Sequence, residues 1–148
     1  MSGARYWEDW QVGDTLECGS VPVTAEAIKR FAAQYDPQPF HLDEAAAQKS
    51  LFKGLAASGW HTAAMTMRLI VQQPMASLGS PGFDDLRWLK PVRPGDTLHA
   101  RLTCLDKRPS AAHSERGMAH FLVETLNSAG DIVMRLTLAA ILARRPAA

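Results

Sequence analysis

The chain has 148 residues, 47% of them apolar and 21% charged, with a formal charge of +1 at neutral pH. That length suits one domain, residues 1–148, around a single core. So small a net charge makes no electrostatic case for nucleic acid or an anionic membrane surface, and neither partner is expected. The longest apolar stretch is broken by Arg68 and falls short of the roughly 20 residues a membrane span needs. The opening "MSGARYWEDWQVGD" has no apolar signal core, so a soluble, cytoplasmic protein is expected. Cys18 and Cys104 lack metal-ligand spacing and read as two reduced thiols, although a disulfide between them stays open.

In chain order, residues 12–21, "VGDTLECGSV", read as a turn and then a strand. Thr24 is placed to cap a helix through "AEAIKRFAAQYD", where Ala27, Ile28, Phe31 and Tyr35 keep an amphipathic rhythm. Pro37 ends it and leaves Asp36 at or just beyond the last turn. Asp43 is a cap for a short helix through "EAAAQKS", and "LFKGLAASG" leads into "WHTAAMTMRLIVQQ", which Pro74 stops. On this last segment Trp60, Ala63, Ala64, Met67, Ile70 and Val71 form one apolar face, Met65 and Leu69 another. A helix apolar nearly all round is expected to be buried nearly all round.

The wrapping follows. "DDLRWLK", "DTLHARLTCLDKR", "MAHFLVETLN" and "DIVMRLTLAAILARR" have strand-like composition, with a hairpin turn at Asn127-Ser128-Ala129-Gly130. Gly-Asp-Thr-Leu occurs at 13–16 and 95–98, each time as a turn feeding a strand. The pattern predicts an α+β domain: a curved antiparallel sheet with one helix packed against it.

The stretch most in need of a reason is "YDPQPFH". Its two prolines stiffen the bend between Asp36 and His41, an acid and a base five residues apart. By themselves these residues fit either a plain turn or a catalytic pair. In context, "YDPQPFHLDEAAAQKSLFKGLAASGWHTAAMTMRL" resembles the signature region of MaoC-like dehydratases, which include the (R)-specific enoyl-CoA hydratases and have the hot-dog fold. "LKPVRPGDTL" resembles the family's strand-turn-strand, and the similarity spans residues 10–145. Asp36, Pro39 and His41 match the family's S-G-D-x-N-P-apolar-H motif, whereas Tyr35 replaces its Gly and Gln38 its Asn. Some members place a Ser on the central helix to hold the Asp; Thr62 and Thr66 are the candidates here.

The resemblance implies a hydro-lyase that reversibly adds water to a 2-enoyl-CoA, giving a (R)-3-hydroxyacyl-CoA, with no cofactor and no metal. Asp36 and His41 would grip the water together, one proton each way, with burial by Phe40, Trp60 and methionines raising the Asp36 pKa. Ser58-Gly59-Trp60 lies at the amino end of the central helix, whose free N–H groups suit the enolate oxygen. The resemblance also puts that donor at Gly59, where no Cβ obstructs the substrate. Gln38, Phe40, Ser58 and Trp60 are the expected substrate contacts. The partner is an acyl-CoA or an acyl carrier protein thioester, and the open sheet edge calls for a homodimer or a dimer of dimers.

Two other readings share this fold. A thioesterase would need a suitably placed base, and residues 60–73 hold no carboxylate. A non-catalytic acyl-CoA-binding protein would have no use for an intact acid and base. His61 reads as a packing or helix-end residue, and Asp43 and Glu44 as first-turn acids. Arg87, Lys90, Arg93, Arg101, Lys107 and Arg108 are either a rim for coenzyme A phosphates or a solvated strand face.

Overall fold

A computed structural model describes residues 3–147. Strand β1 (Thr15–Pro22) leads to helix α1 (Ala25–Tyr35), whose first turn is closed by Thr24 Oγ1 accepting from the Ala27 N–H at 3.1 Å. Such a cap supplies about 1 kcal/mol. Ile28 and Ala32 are the buried residues of α1, and the Asp36 N–H makes its last hydrogen bond, to the Ala32 carbonyl at 2.9 Å. The next residue, Pro37, has no N–H with which to continue.

Two short helices follow, α2 (Pro39–Leu42) and α3 (Glu44–Gln48), the second capped by Asp43 Oδ2 accepting from the Ala46 N–H at 2.8 Å. Helix α4 (Gly59–Val71) starts at Ser58 and precedes four strands: β2 (Ser77–Trp88), β3 (Thr97–Pro109), β4 (Arg116–Leu126) and β5 (Ile132–Ala143). They form one antiparallel sheet in the order β1-β3-β4-β5-β2. This is the expected hot-dog arrangement. In β4, Gly117, Ala119, Phe121, Val123 and Thr125 alternate inward and are buried, as one covered sheet face requires.

The hairpin turn at 127–130 is present: Asn127 Oδ1 accepts from the Ala129 and Asp131 N–H groups, and Gly130 takes φ +84°. The two Gly-Asp-Thr-Leu copies also make the same local turn. Asp14 accepts from the Gln11 N–H at 2.8 Å and Asp96 from the Arg93 N–H at 2.9 Å, each feeding one of two adjacent strands.

The core has two parts. One joins Leu69 and Ile70 of α4 to Leu102, Phe121, Val123 and Leu142 of the sheet, with Trp10 edge-on to Phe121 at 4.7 Å between ring centres. Each large side chain fully buried there contributes about 1.5–3 kcal/mol. The other gathers Ile28, Ala47, Leu55, Val92, Leu98 and Val133 beneath α1 and the loop before α4. Cys18 and Cys104 are buried free thiols, and burial pushes Cys18 up to about 11. No described helix is long and apolar enough to cross a membrane.

Two expectations are corrected. Strand β2 begins at Ser77, well before the predicted "DDLRWLK", and runs through Gly79, Pro81 and Gly82. An edge strand tolerates this because one of its sides needs no hydrogen-bond partner, and the register shifts recorded at these residues absorb the irregularity. Helix α4 is buried on one face only, through His61, Thr62, Thr66, Leu69 and Ile70. Its other face is open, with Trp60 53%, Met67 45% and Val71 66% exposed. One five-stranded sheet covers one side of a helix, and apolar composition alone does not say how many of its sides are covered.

Candidate active site

Asp36 and His41 come from consecutive elements, the end of α1 and the middle of α2. Gln38, between the prolines, is extended at φ −96°, ψ 142°, as its place before Pro39 requires. The bend brings His41 Nε2 to 3.4 Å from Asp36 Oδ2. His41 is almost wholly buried, and its Nδ1 lies 2.6 Å from the Ala56 carbonyl oxygen. A carbonyl only accepts, so Nδ1 carries a proton, and Nε2 is the ring nitrogen turned toward Asp36.

Asp36 is held at both oxygens. Ser58 Oγ donates to Oδ2 at 2.6 Å, and Gln38 Nε2 donates to Oδ1 at 2.6 Å. Burial pushes this carboxyl up, but the Ser58 and Gln38 hydrogen bonds, helped by nearby His41, outweigh it and leave Asp36 below its ordinary value. The expected upward shift is therefore corrected: Asp36 is ionised in the resting protein. The amide of Gln38 does reach the carboxylate in place of the family's Asn.

A cavity of about 470 Å³ opens in front of the pair. Asp36, Gln38, Phe40, His41, Gly59 and Trp60 line it, so six of the seven residues picked from sequence meet in one place. Phe52, Trp88 and Val133 add apolar wall. A second, smaller apolar slot of about 70 Å³ lies between α4 and the sheet, where Trp60, Met67, Phe83 and Leu136 meet. Trp60 borders both spaces.

Ser58 is the exception, and its expected substrate contact is corrected. It has no exposed surface and does not line the cavity. It caps α4, accepting from the Trp60 N–H at 3.3 Å, and holds Asp36 from behind. Thr62 and Thr66 do not hold Asp36. Thr66 Oγ1 donates to the Thr62 carbonyl at 2.8 Å and pairs with Thr125 Oγ1 at 2.6 Å. The signal for Ser58 was in the sequence: Ser directly before Gly-Trp and an apolar helix is an N-cap position.

Gly59 opens α4 and, among the described residues, its N–H has no acceptor. A free donor at the positive end of a helix lining a cavity fits a developing negative charge. The reason for a glycine differs from the expected one. A Cβ there would lie 2.3 Å from Trp88 Cε2, so an indole, not substrate, occupies that face. Trp88 in turn meets Trp60 edge-on, 5.3 Å between ring centres.

His61 follows the packing reading. It stacks on Phe31 at 4.8 Å and 9°, burial lowers its pKa, and its Nδ1 has no hydrogen-bond partner among the described residues. The basic residues divide. Lys90 lines the cavity and lies 3.0 Å from Asp131, Arg101 pairs with Glu124 at 3.0 Å, and Lys107 donates to the Trp7 and Trp10 carbonyls. Arg93 is turned inward onto backbone carbonyls.

The site thus sets Asp36 Oδ2 and His41 Nε2 3.4 Å apart in a cavity that Gly59, at the start of α4, also lines. Known proteins share this chain's sequence pattern and fold. The family model "MaoC like domain" matches residues 10–122. Among solved structures, the MaoC-like dehydratase from Rhodospirillum rubrum superposes with a TM-score of 0.90 at 46% identity, covering 96% of this chain and 99% of that one. The unliganded R-hydratase PhaJ1 from Pseudomonas aeruginosa gives 0.78 at 27% identity, over 97% and 88%. The uncharacterized protein YdeM of Bacillus subtilis is 31% identical over 123 residues, 81% of this chain and 86% of that protein.

Proposed function

The chain belongs to the MaoC-like domain family, and from that premise we propose that it is a hydro-lyase adding water reversibly to the double bond of a 2-enoyl thioester. The observation that carries this reading is the 3.4 Å convergence of Asp36 Oδ2 and His41 Nε2 on the cavity. Two acceptors at that separation hold both hydrogens of one water and leave its oxygen lone pair facing the substrate.

The chemistry then proceeds on one face. As the water oxygen bonds to the β-carbon, His41 Nε2 takes one of its protons and becomes an imidazolium, which ionised Asp36 stabilises. Electrons of the double bond move toward the thioester oxygen, where the Gly59 N–H meets the growing charge. A donor of this kind contributes on the order of 2.7–4 kcal/mol to lowering a barrier. The imidazolium next gives its proton to the α-carbon, so the atoms of one water are added and the site returns to its starting state. Dehydration is the same path reversed. Asp36 acts here as an orienting carboxylate and not as a general acid, which suits its lowered pKa.

The acyl group fits the apolar wall of Phe40, Phe52, Trp60 and Trp88. Its carrier is coenzyme A or an acyl carrier protein, and a second copy of the chain completes the open side of α4.

The test is loss of enoyl-thioester absorbance with a panel of trans-2-enoyl-CoA substrates, for wild type beside Asp36→Asn and His41→Ala. Each variant is expected to lose about 10²–10⁴-fold in turnover while keeping its fold. Thioester binding with no turnover by wild type would make the protein a binding module, and release of free thiol would make it a thioesterase.

A further inference from the structure

We propose that Arg93 is a positioning residue for the acid-base pair, acting on His41 through the backbone of residues 52–56. The guanidinium is directed into the chain. Nη1 donates to the Gly54 carbonyl at 2.9 Å and reaches the Leu55 carbonyl at 3.4 Å, and Nη2 donates to the Phe52 carbonyl. The backbone of Arg93 is itself tied down, since its N–H donates to Asp96 Oδ2 at 2.9 Å in the tight turn before β3. Two residues past Leu55, the Ala57 N–H donates to the Val92 carbonyl at 2.9 Å.

Ala56 therefore lies between two anchors, the Arg93 fork on one side and the Val92 backbone on the other. It is fully buried, and its carbonyl accepts the His41 Nδ1 proton at 2.6 Å. The stretch before it does not hold its shape by propensity. Lys53 sits at φ +58° and Gly54 at φ +157°, and a non-glycine residue in the left-handed region persists only where its surroundings impose it. A Cβ at 54 would also come within 3.2 Å of Arg93 Nη1 and press on the fork.

The consequence concerns which ring nitrogen carries the proton. While the Ala56 carbonyl stays in place, Nδ1 is the donor and Nε2 offers its lone pair to the cavity. If the carbonyl moves, the competing tautomer puts the proton on Nε2. The nearest acceptor is then Asp36 Oδ2, 3.4 Å away, and a direct His-to-Asp hydrogen bond closes the space in which the water is held. This role rests on the hydration reading above for its catalytic meaning, but the tautomer itself is a property of the resting protein. Neither the phosphate-rim nor the solvated-face reading of Arg93 leads to it.

Arg93→Ala and Arg93→Lys test it. Nitrogen-15 NMR of histidine-labelled protein without substrate, with the His41 signals assigned by their loss in His41→Ala, reads the tautomer directly. Wild type is expected to carry the proton on Nδ1, and Arg93→Ala to shift to a mixture or to the Nε2 form. In hydration assays kcat per folded molecule should fall about 10- to 100-fold, as small misplacements of a reacting group do, with KM nearly unchanged. Arg93→Lys keeps a charge and fewer donors, should fall between, and carries the test alone if the alanine variant does not fold. An unchanged His41 tautomer in a folded variant overturns the proposal and leaves Arg93 as a structural staple. A rise in KM confined to coenzyme A thioesters, absent with pantetheine thioesters, would overturn it in favour of a phosphate contact. Absence of hydratase activity in wild type would sink the proposed reaction yet leave the tautomer measurement standing.

Discussion

Ser58 Oγ donates to Asp36 Oδ2 at 2.6 Å, which ties the residue that ends α1 to the residue that caps α4 across 22 positions of sequence. The same hydroxyl oxygen accepts from the Trp60 N–H at 3.3 Å. One small side chain thus caps the central helix and fixes the carboxylate, so the start of α4 and the placement of Asp36 depend on each other.

Replacing it should show both roles. Ser58→Ala is expected to cost about 1–2 kcal/mol, from the lost cap and a half-buried acceptor left short of a donor, measured by denaturant unfolding. It also removes a hydrogen bond that lowers the Asp36 pKa. A folded-state pKa below the unfolded one gives stability that is present above the ordinary carboxylate value and lost as pH falls through the folded value. Without Ser58 the folded value rises and that window narrows. The acid limb of kcat/KM should accordingly move to higher pH, and an unmoved limb would mean that Ser58 does not set the Asp36 charge.

Gly59 and Trp88 should behave as one unit. A methyl at 59 meets the indole at 2.3–2.7 Å from three of its atoms, too close for a Cβ, and overpacking of this kind typically costs 1–3 kcal/mol. Gly59→Ala is expected to destabilise by about that amount, while Gly59→Ala in a Trp88→Ala background should cost much less. A double-mutant cycle by chemical unfolding measures the difference. Strict additivity would show that the glycine is needed for something other than room for the indole.

His61 predicts a dependence on pH outside the catalytic pair. It is a mostly buried imidazole against Phe31, and burial lowers its pKa below 6.5. Between the folded value and about 6.5 the unfolded chain binds the extra proton, so acidification through that window destabilises the fold. Thermal melts from pH 7.5 down to 5 should show a decline in Tm that is reduced in His61→Phe. Parallel curves for the two proteins would remove His61 as the cause.

The local features were legible because their causes are local. Thr24, Asp43 and the prolines mark helix ends by rules that need no tertiary partner, and the same rules put Asp36 and His41 on one bend. What sequence missed depends on distant residues. Ser58 was expected to touch substrate, and its use as a hydroxyl donor to Asp36 exists only once α1 packs beside α4. Gly59 looks like an open approach until Trp88, on another element, fills it. Arg93 reads from sequence as a surface charge and turns inward only once the fold brings the Phe52, Gly54 and Leu55 carbonyls within its reach. Strand β2 was read seven residues short because glycine and proline signal loops except at a sheet edge.

The burial expected of α4 was also misjudged, and the discrepancy points to assembly. Trp60, Met67 and Val71 on the helix and Phe83 and Trp88 on β2 are all exposed, beside an edge strand exposed along nearly its whole length. Contiguous apolar surface next to an unpaired strand is a liability in a lone subunit. A second copy laid against it would cover both the helix face and the edge. Val71→Glu places a carboxylate at 66% exposure in the single chain, where it costs a monomer little but would be desolvated between two copies. Sedimentation should find a dimer or larger for wild type and a monomer for Val71→Glu, with enoyl-thioester turnover falling as the dimer is lost. A variant that stays dimeric would put the interface elsewhere, and a monomer with full turnover would show that each site is complete within one chain.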